Sequence, residues 1–136
     1  MSDLANKRCV ACNADTPRVA PDEVNRLLVS LPGYKADMLV GSISKVYEFA
    51  DFYETMAFVN ALAYIAHVED HHPELAVSYN RCAVTYSTHS IGGLSENDFL
   101  CAAKIGALVR RLAAVGKRGR RPAGLEGRSE RAAPRG

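Results

Sequence analysis

The feature that most limits the fold is an abrupt change of period at His71-His72-Pro73. Before it, from Asp51 onward, apolar residues recur at three- and four-residue intervals, as on the buried face of a helix: Phe52, Met56, Val59, Leu62, Ala63 and Ala66. After it, Leu75, Val77 and Tyr79 alternate with Ala76 and Ser78, Asn80-Arg81 suit a turn, and Val84 and Tyr86 alternate with Ala83, Thr85 and Ser87. Proline lacks the N–H that a helix needs and its ring clashes with the preceding turn, so the chain must leave the helix there and enter a hairpin. The same region holds all four histidines of the 136-residue chain, His67, His71, His72 and His89, with Glu69, Asp70, Glu74 and Asp98 close by in sequence. A hairpin would carry His89 back beside His71 and His72. Imidazole, with an unperturbed pKa of about 6.5, both gives and takes a proton near neutrality and also binds metals. The cluster is therefore the candidate for acid/base chemistry or metal binding.

The rest of the chain follows the same plan. Pro21-Asp22-Glu23 places a proline and two carboxylates in a first helical turn, Val24, Leu27, Leu28 and Leu31 form one stripe, and Pro32-Gly33 ends it. Strands are expected near Tyr34 to Val40 and Lys45 to Ala50, around a turn at Gly41-Ser42. Asp51 with Glu54, and Ser95 with Asp98, resemble N-terminal helix caps, and Cys101, Ile105, Leu108, Val109 and Leu112 predict a closing amphipathic helix. The order αββαββα contains no βαβ alternation long enough for a parallel doubly wound sheet. It predicts an α+β fold: a four-stranded antiparallel sheet from two hairpins with three helices on one face.

The chain carries 24% charged and 48% apolar residues, enough for one ordinary core. Three segments are expected: an N-terminal lead over residues 1–20, a folded domain over 21–112 and a basic disordered tail over 113–136. The tail sets Lys117, Arg118, Arg120, Arg121, Arg128, Arg131 and Arg135 against Glu126 and Glu130, an excess larger than the net +2 of the whole chain. The body is therefore acidic, and nothing in it favours nucleic acid. No run of roughly 20 apolar residues is present and the N-terminus does not read as a signal peptide, so no membrane span and a cytoplasmic location are expected. Cys9-Val10-Ala11-Cys12 has zinc or redox spacing, yet Cys82 and Cys101 do not supply the second close pair of a structural zinc site. The four cysteines are read as thiols and the lead as a segment without a bound ion.

The spacing of these residues resembles the pterin-4a-carbinolamine dehydratases, known in animals also as a dimerisation cofactor of a homeodomain transcription factor. The family pattern sets an acidic, basic or His residue four before a His-His-Pro, an aromatic six after the Pro, a His ten later and an Asp beyond, matched here by His67, His71-His72-Pro73, Tyr79, His89 and Asp98. Asp51-Phe52, Thr88-His89 and Gly93-Leu94-Ser95-Glu96-Asn97-Asp98 also look like the family. The likeness covers roughly residues 21 to 112. Many members carry Glu where this chain has His67.

The resemblance implies dehydration of 4a-hydroxytetrahydrobiopterin to quinonoid dihydrobiopterin, which recycles the pterin after aromatic hydroxylation without metal or cofactor. It implies His71 and His89 as the acid/base pair, with His72 as a third catalytic group that holds substrate or shares a proton. Asp70 and Asp98 would orient imidazoles or bind the pterin edge, and Pro73, Thr88 and His67 complete the substrate-binding set. A homodimer or homotetramer is implied, and the cysteine lead resembles bacterial members coupled to an aromatic amino-acid hydroxylase. Two other readings exist: a zinc hydrolase using His67, His71 and His89, and a non-catalytic oligomerisation partner.

Overall fold

The computed structural model describes residues 4–10 and 13–118; Cys12 and the basic tail from 119 onward lie outside the described residues. Helix α1, Pro21–Leu28, starts at the proline with Asp22 and Glu23 in its first turn, and buries Val24. Strand β1 spans only Lys35–Asp37, shorter than the expected Tyr34 to Val40. Asp37 ends it. One carboxylate oxygen accepts from the N–H groups of Leu39 and Val40 at 3.0 and 3.2 Å, and its carbonyl accepts from the Gly41 N–H at 2.7 Å. These local bonds replace the ladder. Strand β2 accordingly begins earlier than expected, at Ser42, and runs to Glu48.

Helix α2, Phe52–Glu69, is capped as its sequence suggests. Asp51 accepts from the Glu54 N–H at 2.9 Å, and Glu54 reaches back to the Ala50 N–H at 2.9 Å. Its buried face, however, is Thr55, Phe58 and Leu62, whereas Phe52 is 44% exposed and Ala63 is also exposed. The helix is apolar on nearly every side, so spacing alone does not choose the side that packs. Thr55 can be buried because its hydroxyl reaches the carbonyls of Asp51 and Tyr79 at 2.9 and 3.0 Å, the second of which ties α2 to the following hairpin.

That hairpin is β3, Glu74–Ser78, with β4, Arg81–Tyr86. The sheet order is β1-β2-β4-β3, all antiparallel, with β2 and β4 as the central pair, Ile43 opposite Tyr86 and Tyr47 opposite Cys82. The expected apolar inner face exists on β4, where Cys82, Val84 and Tyr86 are fully buried. On the edge strand β3 it does not, since Leu75 and Val77 remain 37% and 41% exposed. Helix α3, Glu96–Arg118, buries Phe99, Cys101, Ala102 and Ile105 against the same core and continues past the expected boundary at 112.

The β1–β2 turn passes directly behind the loop that follows β4. Gly41 has φ +81°, and a Cβ there would lie 2.7 Å from the Gly93 Cα. Gly33 also has positive φ, but its Cβ would meet only the flexible end of Lys45. Gly41→Ala should therefore cost more than the roughly 1 kcal/mol of left-handed strain alone, and more than Gly33→Ala. Urea unfolding of the two variants checks the order.

Candidate active site

The site begins where α2 stops. Asp70 adopts φ 54°, and the N–H groups of Asp70 and His71 turn back to carbonyls of the last helical turn, His71 to Ala66 at 3.1 Å. A left-handed residue at this position ends a helix and redirects the chain, and Asp tolerates the conformation better than most residues. His67 consequently stays on the exposed surface of α2, while His71, beyond the turn, points inward. The two do not share a helical face. No group of three His, Cys, Asp or Glu side chains among the described residues is arranged to hold a metal ion. The three-nitrogen set His67, His71 and His89 is thus not assembled.

Asp98 receives His71. It lies in the first turn of α3 and is fully buried, with three donors on its carboxylate. Oδ1 faces His71 Nε2 at 2.7 Å, and Oδ2 accepts from Thr88 Oγ1 at 2.8 Å and from the Ser95 N–H at 2.9 Å. A carboxylate only accepts, so the imidazole proton sits on Nε2 and a neutral ring keeps Nδ1 as a base. Thr88 gives its one proton to Asp98, so the Ser95 hydroxyl must donate to Thr88 Oγ1, 2.7 Å away. Thr88 is itself pinned by paired bonds with Gly93, which close the loop containing His89–Ile91, a single 3-10 turn. Tyr86 lies nearly parallel to the His71 ring, with centroids 6.0 Å apart. Its buried hydroxyl has no hydrogen-bond partner among the described residues, and burial pushes its pKa far above the usual tyrosine value.

Asp70, His71, His72, Ser87, Thr88, His89 and Ser90 line one open depression of about 130 Å³. This is well below the roughly 300–1,000 Å³ of enclosed ligand sites, so a bicyclic ligand would lie partly outside it. Five of the residues singled out from the sequence, Asp70, His71, His72, Thr88 and His89, meet there. Asp98 stands behind His71 with both oxygens occupied, Pro73 is half-buried and outside the lining, and His67 is exposed and also outside it. Sequence reasoning missed Ser87 and Ser90 in the lining, Tyr86 as the ring beside His71, and the Ser95 hydroxyl. The alternation of β4 carried a signal for one of these, because it sets Tyr86 and Thr88 on one face.

A family model described as pterin 4 alpha carbinolamine dehydratase matches residues 17–108. A relative from Nitrosospira multiformis, provisionally named pterin-4-alpha-carbinolamine dehydratase, is 50% identical over 110 residues, covering 81% of this chain and 96% of its own. One from Stenotrophomonas maltophilia with the same provisional name is 49% identical over 109 residues, covering 80% and 94%. A crystal structure of a transcriptional coactivator/pterin dehydratase from Brucella melitensis superposes with a TM-score of 0.65 at 35% identity, over 68% of this chain and 98% of that one.

The Asp98 network carries its own stability test. Thr88→Val keeps the shape but removes the donor to a buried carboxylate and the acceptor for Ser95. A loss of about 1.5–3 kcal/mol is expected, with Thr88→Ser losing much less. Denaturant unfolding measures both, and equal losses would mean that the hydroxyl is not what matters.

Proposed function

The chain belongs to the pterin 4 alpha carbinolamine dehydratase family of hydro-lyases, and from that premise we propose that it dehydrates 4a-hydroxytetrahydrobiopterin by histidine acid/base catalysis in residues 21–112. The observation that carries this reading is His71, fixed by the buried Asp98 carboxylate and opening on a depression rimmed by His72 and His89. The reaction expels the 4a-hydroxyl as water and removes a proton from a ring nitrogen, leaving the quinonoid dihydropterin. It therefore needs one group that takes a proton and one that gives one.

In our assignment His71 takes the ring-nitrogen proton at Nδ1. The positive charge that develops on its ring faces the Asp98 carboxylate, which orients the imidazole and stabilises it as it charges. His89, exposed on its short turn, delivers a proton to the leaving hydroxyl and recovers one from solvent, with His72 beside it to share the proton or hold the substrate. Asp98, with both oxygens engaged, acts as a positioning residue, while Asp70 and the edge around Thr88 offer polar groups to the pterin. The physiological role proposed is recycling of the pterin after aromatic amino-acid hydroxylation, alongside the hydroxylase. Among the described residues no helix is long and apolar enough to cross a membrane.

We further propose that the chain acts as a homodimer or homotetramer. The edge strand β3 offers unpaired backbone groups together with exposed Leu75 and Val77, and such an edge favours pairing with another strand. Light scattering on the eluting protein should give two or four times the chain mass. A monomer at micromolar concentration would overturn the assignment.

The activity is tested by the stopped-flow ultraviolet decay of 4a-hydroxytetrahydropterin with and without the protein. His71→Ala and His89→Ala should each lower turnover by roughly 10² to 10⁴, and His67→Ala by no more than a few-fold, with circular dichroism confirming that all three fold. An equal loss at His67 would refute these roles.

A further inference from the structure

No described residue of the N-terminal lead lines the depression at His71, yet the lead is bound tightly beside it. Lys104 donates to the Ala5 carbonyl at 2.8 Å, and the Cys9 N–H donates to Glu69 at 2.9 Å, with Arg8 also on that carboxylate at 3.0 Å. Val10 exchanges two bonds with the Asn97 side chain, at 3.1 and 2.6 Å. Cys9 is thus held from both sides, and its sulfur lies 3.4 Å from that of Cys101 on α3. A disulfide needs about 2.05 Å between sulfurs, an approach of little more than one ångström. Cys9 is half-buried and reachable from solvent, while Cys101 is fully buried.

We propose that Cys9 and Cys101 are a redox modification site, closing to a reversible disulfide on reaction with a low-molecular-weight disulfide such as oxidised glutathione. The two thiols are unequal. The hydrogen bond from Cys101 favours a Cys9 thiolate and holds its pKa below the usual thiol value, helped by Lys104 and opposed by burial and Glu69. The same bond, with burial, pushes Cys101 far up. Cys9 is therefore the attacking sulfur. Its thiolate attacks one sulfur of the reagent, forms a mixed disulfide and expels one thiolate. Capping Cys9 removes the charge that had raised Cys101, which then loses its proton to the expelled thiolate and attacks the Cys9 sulfur, expelling the second thiol. Two protein thiols become one disulfide and the reagent becomes two thiols. The bond fastens the lead to the helix that carries Asp98, and the inference does not depend on the dehydratase reading.

The test uses the reduced full-length chain, treated with oxidised glutathione, alkylated and digested without reduction. Fragmentation of the cross-linked peptide should assign a Cys9–Cys101 bond, with two thiols lost. The unfolding midpoint should rise by roughly 5 °C or more, reversed by dithiothreitol. Cys12→Ser should leave both changes intact. Cys9→Ser, a near-isosteric change at a half-buried position packed against the core, should abolish both. A Cys9–Cys12 bond, a lasting glutathione adduct on Cys9 with Cys101 still reduced, or unmodified thiols would each overturn the proposal.

Discussion

The structure turns on one buried carboxylate. Asp98 is fully removed from solvent, a position that would be costly for an unpaired charge, and it is tolerable because donors come from three separate parts of the chain. The Ser95 N–H starts α3, Thr88 ends the strand path of β4, and His71 follows α2. The helix N-terminus adds a favourable dipole. The bonds that close the fold at this corner are therefore the bonds that orient the imidazole. A change that loosened the corner would disturb site and fold together.

The same arrangement separates the histidines. Asp70, in its left-handed conformation, turns the chain so that His71 enters the interior, while His72, the next residue, remains outside. His71 is mostly buried, flanked by the Tyr86 ring and bonded to the Asp98 carboxylate. The imidazoles of His72 and His89 have no hydrogen-bond partner among the described residues, and both residues are exposed. Our assignment of roles follows that difference. A base that must meet a ring nitrogen in fixed geometry gains from immobilisation, whereas a group exchanging protons with water gains from exposure.

Much of this was legible in the sequence because capping and alternation are local. Pro21, the Asp51/Glu54 and Ser95/Asp98 pairs, and the alternation of β4 each gave the right element near the right place. The residues that misled did so for stated reasons. Helix α2 is apolar all round, so its packed face depended on where the sheet lay and on a hydroxyl, Thr55, that polarity would have placed outside. Strand β1 was cut short by the Asp37 side chain, and β3 alternates like a buried strand although Leu75 and Val77 stay exposed among the described residues. Spacing brought His71, His72 and His89 together, and the resemblance marked Asp98. That Asp98 would sit behind His71 depended on α2 ending at Glu69 and on the left-handed turn at Asp70.

Two carboxylates at the meeting of α2 and α3 then divide the work. Glu69, the last residue of α2, has a side chain only 5% exposed and holds the lead through Arg8 and Cys9, with Lys104 of α3 at 3.7 Å. Burial alone would raise its pKa, but the bonds from Cys9 and Arg8 and the nearby Lys104 together hold it below the ordinary carboxylate value. Asp98 faces the opposite way, toward the hairpin and His71. Asn97, beside it, bonds the lead at Val10. The first turn of α3 is thereby gripped by the lead on one side and by Thr88 and His71 on the other. The position of His71 is fixed by contacts to that turn, so the lead supports the geometry of the site from outside its described lining.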